Sequence, residues 1–412
     1  MSRSDAWKLF CIGCGTEALT ELPDSTCRKC GDLLEIRLSR DLDAKSLFDG
    51  KGPGIWRFRS TLPFPRDIEP VSLEEGGTPL VKIRLFAARV GLDNLFAKND
   101  GQNPTGSFKD RGMSVAVTRA KTLGVKALVC ASTGNTAASL SAYSARAGLE
   151  AVVVVPKAGV ASGKLGQAFA YGAKVFGIEG NFDRALATVF DLVRKDDRFY
   201  LVNSVNPFRI EGQKVAAFEI YEQLDRVPDC VVLPVGNAGN ISAIWKGFKE
   251  LRALGVTDAL PRMIGVQAEG AAPLAEAYRS GQPFRPLKEP HTVASAIRIG
   301  NPVSWKKALN AIAESGGGAV VVKDEEIMEA KDRLAREEGL LVEAASAAPF
   351  AALTKLGLPR DAFVVCVATG NGLKDLSDHG GEHRIETATG ADSISDLIKG
   401  NPELSRRSRA SP

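Results

Sequence analysis

From about residue 76 to residue 380 the chain alternates short apolar runs with amphipathic stretches, and no other feature constrains its fold as much. The apolar runs at 127–131, 151–155, 174–178, 230–235, 263–268, 319–322 and 363–368 are rich in Val and bounded by Gly, Pro or Asp. Runs of that length without polar alternation read as strands buried on both faces. The stretches between them, such as 136–147, 182–194, 211–224 and 324–338, carry a helical period. Strand–helix alternation gives an α/β fold with open parallel sheet. In such folds ligands bind beyond the carboxyl ends of the strands, where the helices begin. The length of 412 residues allows two to three domains and a substantial core.

Residues 1–37 are compact and Cys-rich. Residues 38–75 hold Pro53, Pro63, Pro65 and Pro70 without a sustained period and read as an extended connector packed on the body. The body runs from 76 to 390, and 391–412 reads as a frayed tail. Four of the seven cysteines form two Cys-x-x-Cys-Gly units, Cys11 with Cys14 and Cys27 with Cys30. Two thiolates three residues apart grip one face of a metal, and four of them favour tetrahedral Zn²⁺ in a closed, structural site. Cys130, Cys230 and Cys366 lie inside apolar strands and read as core residues.

Fifty-three basic against 49 acidic side chains leave a formal charge of +4, too little to call for nucleic acid or an anionic membrane. Arg28 and Lys29 lie in one knuckle, but Glu17, Glu21, Asp24 and Asp32 interrupt any basic stripe. No apolar run reaches transmembrane length, and the start lacks the apolar stretch of a signal peptide. A cytoplasmic location is the expectation. Only His291, His379 and His383 are present, so histidine-based metal sites and repeated histidine acid–base chemistry are not expected.

The strand-ending loops carry the chemistry. The run 127–131 leads into Ser132-Thr133-Gly134-Asn135-Thr136 and a helix, a pattern that suits a carboxylate or phosphate at a helix N-terminus and equally an ordinary N-cap. The run 230–235 leads into Gly236-Asn237-Ala238-Gly239-Asn240, whose backbone N–H groups can surround a phosphate. The glycine spacing fits neither a P-loop nor a dinucleotide fingerprint. The run 363–368 leads into Thr369-Gly370-Asn371-Gly372, open enough for a flat ligand to approach. Lys109 falls in the first turn of a helix over 113–123, where the macrodipole lowers the pKa of an amine and favours a nucleophile.

Together these segments resemble the fold-type II pyridoxal-phosphate enzymes, the tryptophan synthase β-like class, and within them the threonine synthase family. The resemblance rests on Ser107-Phe108-Lys109-Asp110-Arg111, the 132–136 and 236–240 loops, Asn203-Ser204-Val205-Asn206-Pro207-Phe208-Arg209, Ile297-Arg298-Ile299-Gly300-Asn301-Pro302 and Ala368-Thr369-Gly370-Asn371-Gly372-Leu373-Lys374-Asp375. It implies two open twisted parallel-sheet domains, a small mobile one over roughly 115–205 and a large one from the remainder, with a zinc-ribbon-like extension ahead of them.

The resemblance also implies roles. Lys109 forms the Schiff base with pyridoxal 5′-phosphate and shuttles protons. Asn135 meets the cofactor's 3′-oxygen, Gly236, Asn237, Ala238, Gly239 and Asn240 hold its phosphate, and Thr369 meets its ring nitrogen. Ser132, Thr133 and Thr136 take the substrate carboxylate, with Thr136 also assisting proton transfer. Asn203, Ser204 and Arg209 bind the substrate phosphate; a surface ion pair of Arg209 with Glu211 is the plainer alternative. Lys157, in Val155-Pro156-Lys157, is a further candidate to face the substrate phosphate, and His291, near the 297–302 motif, is a candidate to line the site, with a structural role as its plainer reading. The implied reaction converts O-phospho-L-homoserine and water to L-threonine and phosphate, in a homodimer. The alternatives are a serine/threonine dehydratase, a phosphoserine-using β-replacement enzyme such as cysteate synthase, and a non-catalytic cofactor-binding or zinc-ribbon protein.

Overall fold

The computed structural model describes residues 7–20, 25–38, 44, 47–48, 50–65, 67–157, 165–180 and 182–375. The tail expected at 391–412, together with His379 and His383, lies outside the described residues. Three short strands, β1 (Trp7–Cys11), β2 (Glu17–Ala18) and β3 (Leu34–Leu38), form an antiparallel sheet in the order β2-β1-β3. Then β4 (Leu80–Ile83) and β5 (Asn94–Asn99) open a larger sheet as an antiparallel pair. The chain next builds a parallel four-stranded sheet from β6 (Ala127–Ala131), β7 (Glu150–Pro156), β8 (Lys174–Ile178) and β9 (Phe199–Leu201), ordered β8-β7-β6-β9. It returns through β10 (Cys230–Pro234), β11 (Arg262–Ala268), β12 (Gly318–Val322) and β13 (Phe363–Ala368). The six-stranded sheet runs β12-β11-β10-β13-β5-β4, parallel except at β4.

Side chains on β10 and β13 show why the apolar runs fold this way. Val231, Leu233, Val365 and Val367 pack into one core cluster, while Val232, Val364 and Cys366 enter another on the opposite face. Successive residues of a strand point to opposite faces, so both faces demand apolar residues. Each fully buried Val or Leu stabilises the fold by roughly 1.5–3 kcal/mol. Cys130, Cys230 and Cys366 are core residues as expected, and burial pushes the first two thiols up to about 12.

The Cys-rich sheet docks on the body. Trp7 meets Phe208 edge-on at 5.3 Å between ring centroids, and the Arg119 guanidinium lies over both rings at 5.4 and 5.3 Å. Lys246 Nζ donates to the Ile36 carbonyl at 2.6 Å, and Lys307 pairs with Glu35 at 3.3 Å. The stretch expected to be an extended connector contains a 3₁₀ helix over Gly54–Thr61, with Ile55, Trp56 and Phe58 buried. Aromatic side chains at that close spacing supply their own packing, which loop-like proline content concealed. Strands β4, β5 and β9 were also not expected.

Candidate active site

Lys109 is the first residue of the helix Lys109–Leu123. Two backbone links tie this entrance to the end of β13: Phe108 N–H donates to the Thr369 carbonyl at 3.0 Å, and Ser107 bridges Gly370. The Lys109 amine stands 3.6 Å from the centroid of the Phe108 ring. Its pKa lies well below the ordinary lysine range. Burial of the amine is the largest cause and the Arg209 charge adds to it, while Glu343 opposes both. The lowering expected from the helix terminus is therefore produced chiefly by desolvation. The neighbouring Asp110 accepts from Thr105 N–H at 2.7 Å, Thr105 Oγ1 at 2.6 Å and Ser139 Oγ at 2.6 Å, and its burial raises its pKa.

The 132–136 loop lies at the carboxyl end of β6. Ser132 Oγ accepts from Gly134 N–H at 3.2 Å, Asn135 begins the helix Asn135–Ala147, and Thr136 is buried in its first turn. Asn135 Nδ2 donates to both oxygens of Glu343, at 3.0 and 2.9 Å. Glu343 is 5 % exposed, and burial pushes its carboxyl up to about 7 against the pull of Lys374. Thr369 Oγ1 lies 3.0 Å from Ser346 Oγ, which also accepts from Gly370 N–H at 2.8 Å. Any side chain at Gly370 would run into the Glu343 carboxylate. Lys374 Nζ donates to the Thr105 carbonyl at 2.7 Å. Lys109, Asn135 and Thr369 thus gather around Glu343, Ser346 and Lys374.

The 236–240 loop leads into the helix Gly239–Ala253. Ala238 holds φ at +64°, a strained conformation for a residue with a Cβ and one that persists where function over-determines it. A Cβ on Gly236 would come within 3.0 Å of the Ala296 carbonyl, so the 297–302 motif walls this loop. Among the described residues, Ser107 Oγ, Asn240 Nδ2, Gln213 Oε1 and Arg209 Nε are buried without a hydrogen-bond partner. Buried orphans of this kind are rare, and four of them surround the loops named here. A buried lysine amine of lowered pKa, a glycine-lined helix terminus, buried hydroxyl groups and unsatisfied polar atoms fit pyridoxal phosphate.

Arg209 lies in the first turn of the helix Pro207–Leu224 and is 2 % exposed. Its Nη1 donates to the Val202 carbonyl at 3.0 Å. It pairs with no carboxylate among the described residues. The expected alternative, a pair with Glu211, is overturned because Glu211 binds Lys214 at 2.6 Å and also Lys246. Burial pulls the Arg209 pKa down to about 10. Ser204, five residues earlier in the chain, is half-buried. Asn203 spends both ends of its amide on the Ala131 backbone, each at 2.9 Å, which places it as the brace between its own loop and β6. Lys157 is exposed and paired with the exposed Glu179 at 3.1 Å. His291 is exposed and packs its ring against Gly270. Glu343 and Ser346 were missed because no local pattern sets them apart, and Lys374 stood inside a recognised motif without a role.

The thiols of Cys11, Cys14, Cys27 and Cys30 lie within 4.8 Å of one another. Cys11 and Cys30 sulfurs are 3.3 Å apart, and those of Cys14 and Cys27 are 3.7 Å apart. A tetrahedral metal with sulfur at about 2.3 Å requires edges near 3.8 Å, so the four thiols can hold a metal ion. Backbone N–H groups of Gly13 and Lys29 point at Cys11 and Cys27 sulfur at 3.4 Å, as stabilised thiolates need.

Residues 71–370 match the family described as pyridoxal-phosphate dependent enzyme, and the chain belongs to it. Threonine synthases are among its curated relatives. It is 52% identical over 378 residues to the threonine synthase of Methanosarcina acetivorans, across 90% of this chain and 92% of the relative. It is likewise 52% identical to that of Methanocaldococcus jannaschii, across 89% and 92% of the two chains. Among solved structures, maize serine racemase superposes with a TM-score of 0.63 at 21% identity, over 73% of this chain and 89% of the other, a likeness of fold.

Proposed function

We infer that this chain is a threonine synthase of amino-acid biosynthesis, converting O-phospho-L-homoserine and water to L-threonine and phosphate. The observation that carries the reading is Arg209, a buried guanidinium without a carboxylate partner among the described residues, standing close enough to depress the Lys109 amine. A dehydratase has no phosphate to hold there. The identity to threonine synthases supports the choice of a γ-phosphorylated over a β-phosphorylated substrate.

Pyridoxal phosphate, when bound, supplies an aldehyde for the substrate amine and a conjugated ring that spreads carbanion charge. Lys109 would hold it covalently, Asn135 and Thr369 would hold its ring, and the backbone of Gly236, Asn237, Ala238, Gly239 and Asn240 would hold its phosphate. Ser132, Thr133 and the helix end at Thr136 bind the substrate carboxylate. Arg209 and Ser204 bind the substrate phosphate, with Asn203 bracing their loop. The Lys109 Nζ, its pKa lowered by burial, accepts the α-proton, gives that proton up again within the site, and then accepts a β-proton as phosphate leaves the γ-carbon with the C–O bonding pair; a proton returns to the γ-carbon and water supplies the hydroxyl at the β-carbon. Ser346 fixes the Thr369 hydroxyl, and closure of the 115–205 region over the body excludes bulk water. Cys11, Cys14, Cys27 and Cys30 hold one structural Zn²⁺. The enzyme acts in the cytoplasm as a homodimer.

The test is product identification with phosphohomoserine as sole substrate, run against phosphoserine, serine and threonine. Release of phosphate together with threonine is expected. Preferential turnover of phosphoserine, or full activity in Lys109→Ala, refutes the reading.

A further inference from the structure

Three helices carry the three binding groups, and they meet at glycines. Lys109–Leu123 begins with the nucleophile, Pro207–Leu224 bears Arg209 in its first turn, and Gly239–Ala253 follows the phosphate loop. A Cβ on Gly112 would lie 2.6 Å from the Arg209 carbonyl oxygen and 2.9 Å from Gln213 Nε2. One on Gly212 would overlap the Arg111 carbonyl, and one on Gly247 would overlap the Lys214 carbonyl. Glycine inside a helix costs about 1 kcal/mol relative to alanine. The return here is direct backbone contact, with no side chain between the crossing helices.

The helix Pro207–Leu224 is therefore a spine on which the other two rest. Its crossing with the lysine helix at Gly112 and Gly212 sets the place of Lys109 relative to Arg209. Its crossing with the third helix at Gly247 sets the place of the phosphate loop. A strut prevents sliding at the first crossing: Arg111 donates from Nη1 and Nη2 to the two Glu219 oxygens, each at 2.7 Å, and from Nη2 to Asp100 at 2.8 Å. All three side chains are buried.

We propose that the Gly112–Gly212 crossing is the ruler for substrate length. It fixes the reach from the Lys109 amine, which works at the α-carbon, to the Arg209 guanidinium, which holds the phosphate. It thereby selects the number of carbons between those two groups. The inference rests on Arg209 as the phosphate holder. Relieving a 2.6 Å contact to an ordinary separation of about 3.5 Å displaces the lysine helix by roughly 1 Å, comparable to one methylene of substrate. Gly112, Gly212, Arg111 and Glu219 are positioning residues in this scheme, since none touches substrate.

The experiment uses holoenzyme and compares kcat/KM for phosphate release from phosphohomoserine and phosphoserine in wild type, Gly112→Ala, Gly212→Ala and Glu219→Asp. The last shortens the strut by one methylene without adding an atom, and serves if an alanine variant fails to fold. The phosphohomoserine preference is expected to fall by about tenfold or more, the worth of a misplaced methylene. Exchange of the α-proton of an unphosphorylated amino acid in deuterated water should persist, because it needs Lys109 and not Arg209. Gly247→Ala should weaken pyridoxal phosphate binding in an absorbance titration and leave the preference unchanged. Equal loss on both substrates in the ruler variants, or a preference shift in Gly247→Ala, overturns the proposal. A wild type that releases no phosphate from phosphohomoserine instead refutes the functional reading beneath it.

Discussion

The Asn135 amide donates to both carboxylate oxygens of Glu343, at 3.0 and 2.9 Å, so the helix after β6 and the helix after Glu343 share one buried acid. Burial holds that acid near pH 7, against an ordinary glutamate value of 4.5. A carboxyl whose pKa is raised on folding favours the fold while protonated. Its contribution is complete below the unfolded value, about 4.5, and is lost as pH rises through the folded value, about 7. Cofactor-free wild type should lose on the order of 3 kcal/mol relative to Glu343→Gln across that window. Denaturant unfolding at several pH values checks this, and parallel curves for the two proteins would refute it.

Arg209 separates binding from stability. A buried guanidinium whose pKa burial lowers to about 10 is carried by the fold at a cost. Arg209→Met removes that cost and leaves the Val202 carbonyl unmet. Replacing buried charge with apolar volume is often neutral or stabilising, so the apoprotein's Tm should not fall. The same change deletes a charge-assisted phosphate contact, and kcat/KM for phosphohomoserine should drop by about 10²-fold or more. A large Tm loss with modest kinetic loss would make Arg209 a structural residue.

What the sequence makes legible follows from where the physics is local. Strands β6, β8 and β13 and the helix Asp324–Glu338 have the expected bounds because burial on two faces, or on one helical stripe, writes itself into consecutive residues. The site loops were legible for the same reason, since each stands at the end of such a strand. Strand β5 hides because Lys98 and Asn99 interrupt its pattern, yet Lys98 is fully buried against Glu219 at 2.7 Å. Its partner is far away in sequence, so no window holds both charges. Glu343 hides likewise, since only folding brings it to Gly370 and Asn135.

The cysteine cluster makes a prediction independent of catalysis. Its sheet contributes Trp7 and Leu9 to the main core, and Trp7 packs on Phe208, the residue before Arg209. A sheet of so few residues would draw much of its cohesion from a metal held by the four thiols. Metal analysis should find one zinc per chain. Its removal by a chelator under reducing conditions should lower Tm by about 2–5 °C, as loss of one or two apolar anchors would. Absence of bound zinc, or an unchanged Tm after its removal, refutes the structural role.

The buried quartet of Lys98, Asp100, Arg111 and Glu219 is the frame's electrostatic lock. Glu219 accepts from Lys98 and twice from Arg111, each at 2.7 Å, and these cations hold its carboxyl well below the ordinary range. Burial alone would raise that pKa, so attraction outweighs desolvation at this site. Glu219→Gln leaves two buried cations facing Asp100 alone and should cost about 3–5 kcal/mol, the usual price of breaking a buried pair from one side. Adding Lys98→Met removes the cation that has lost its partner. The double variant should then be more stable than Glu219→Gln by about 1–3 kcal/mol. A thermodynamic cycle by denaturant unfolding decides it. Simple additivity of the two losses would mean that Lys98 is satisfied by Gln223 and the Thr78 carbonyl, which accept from it at 2.9 and 2.7 Å, and that Glu219 serves Arg111 alone.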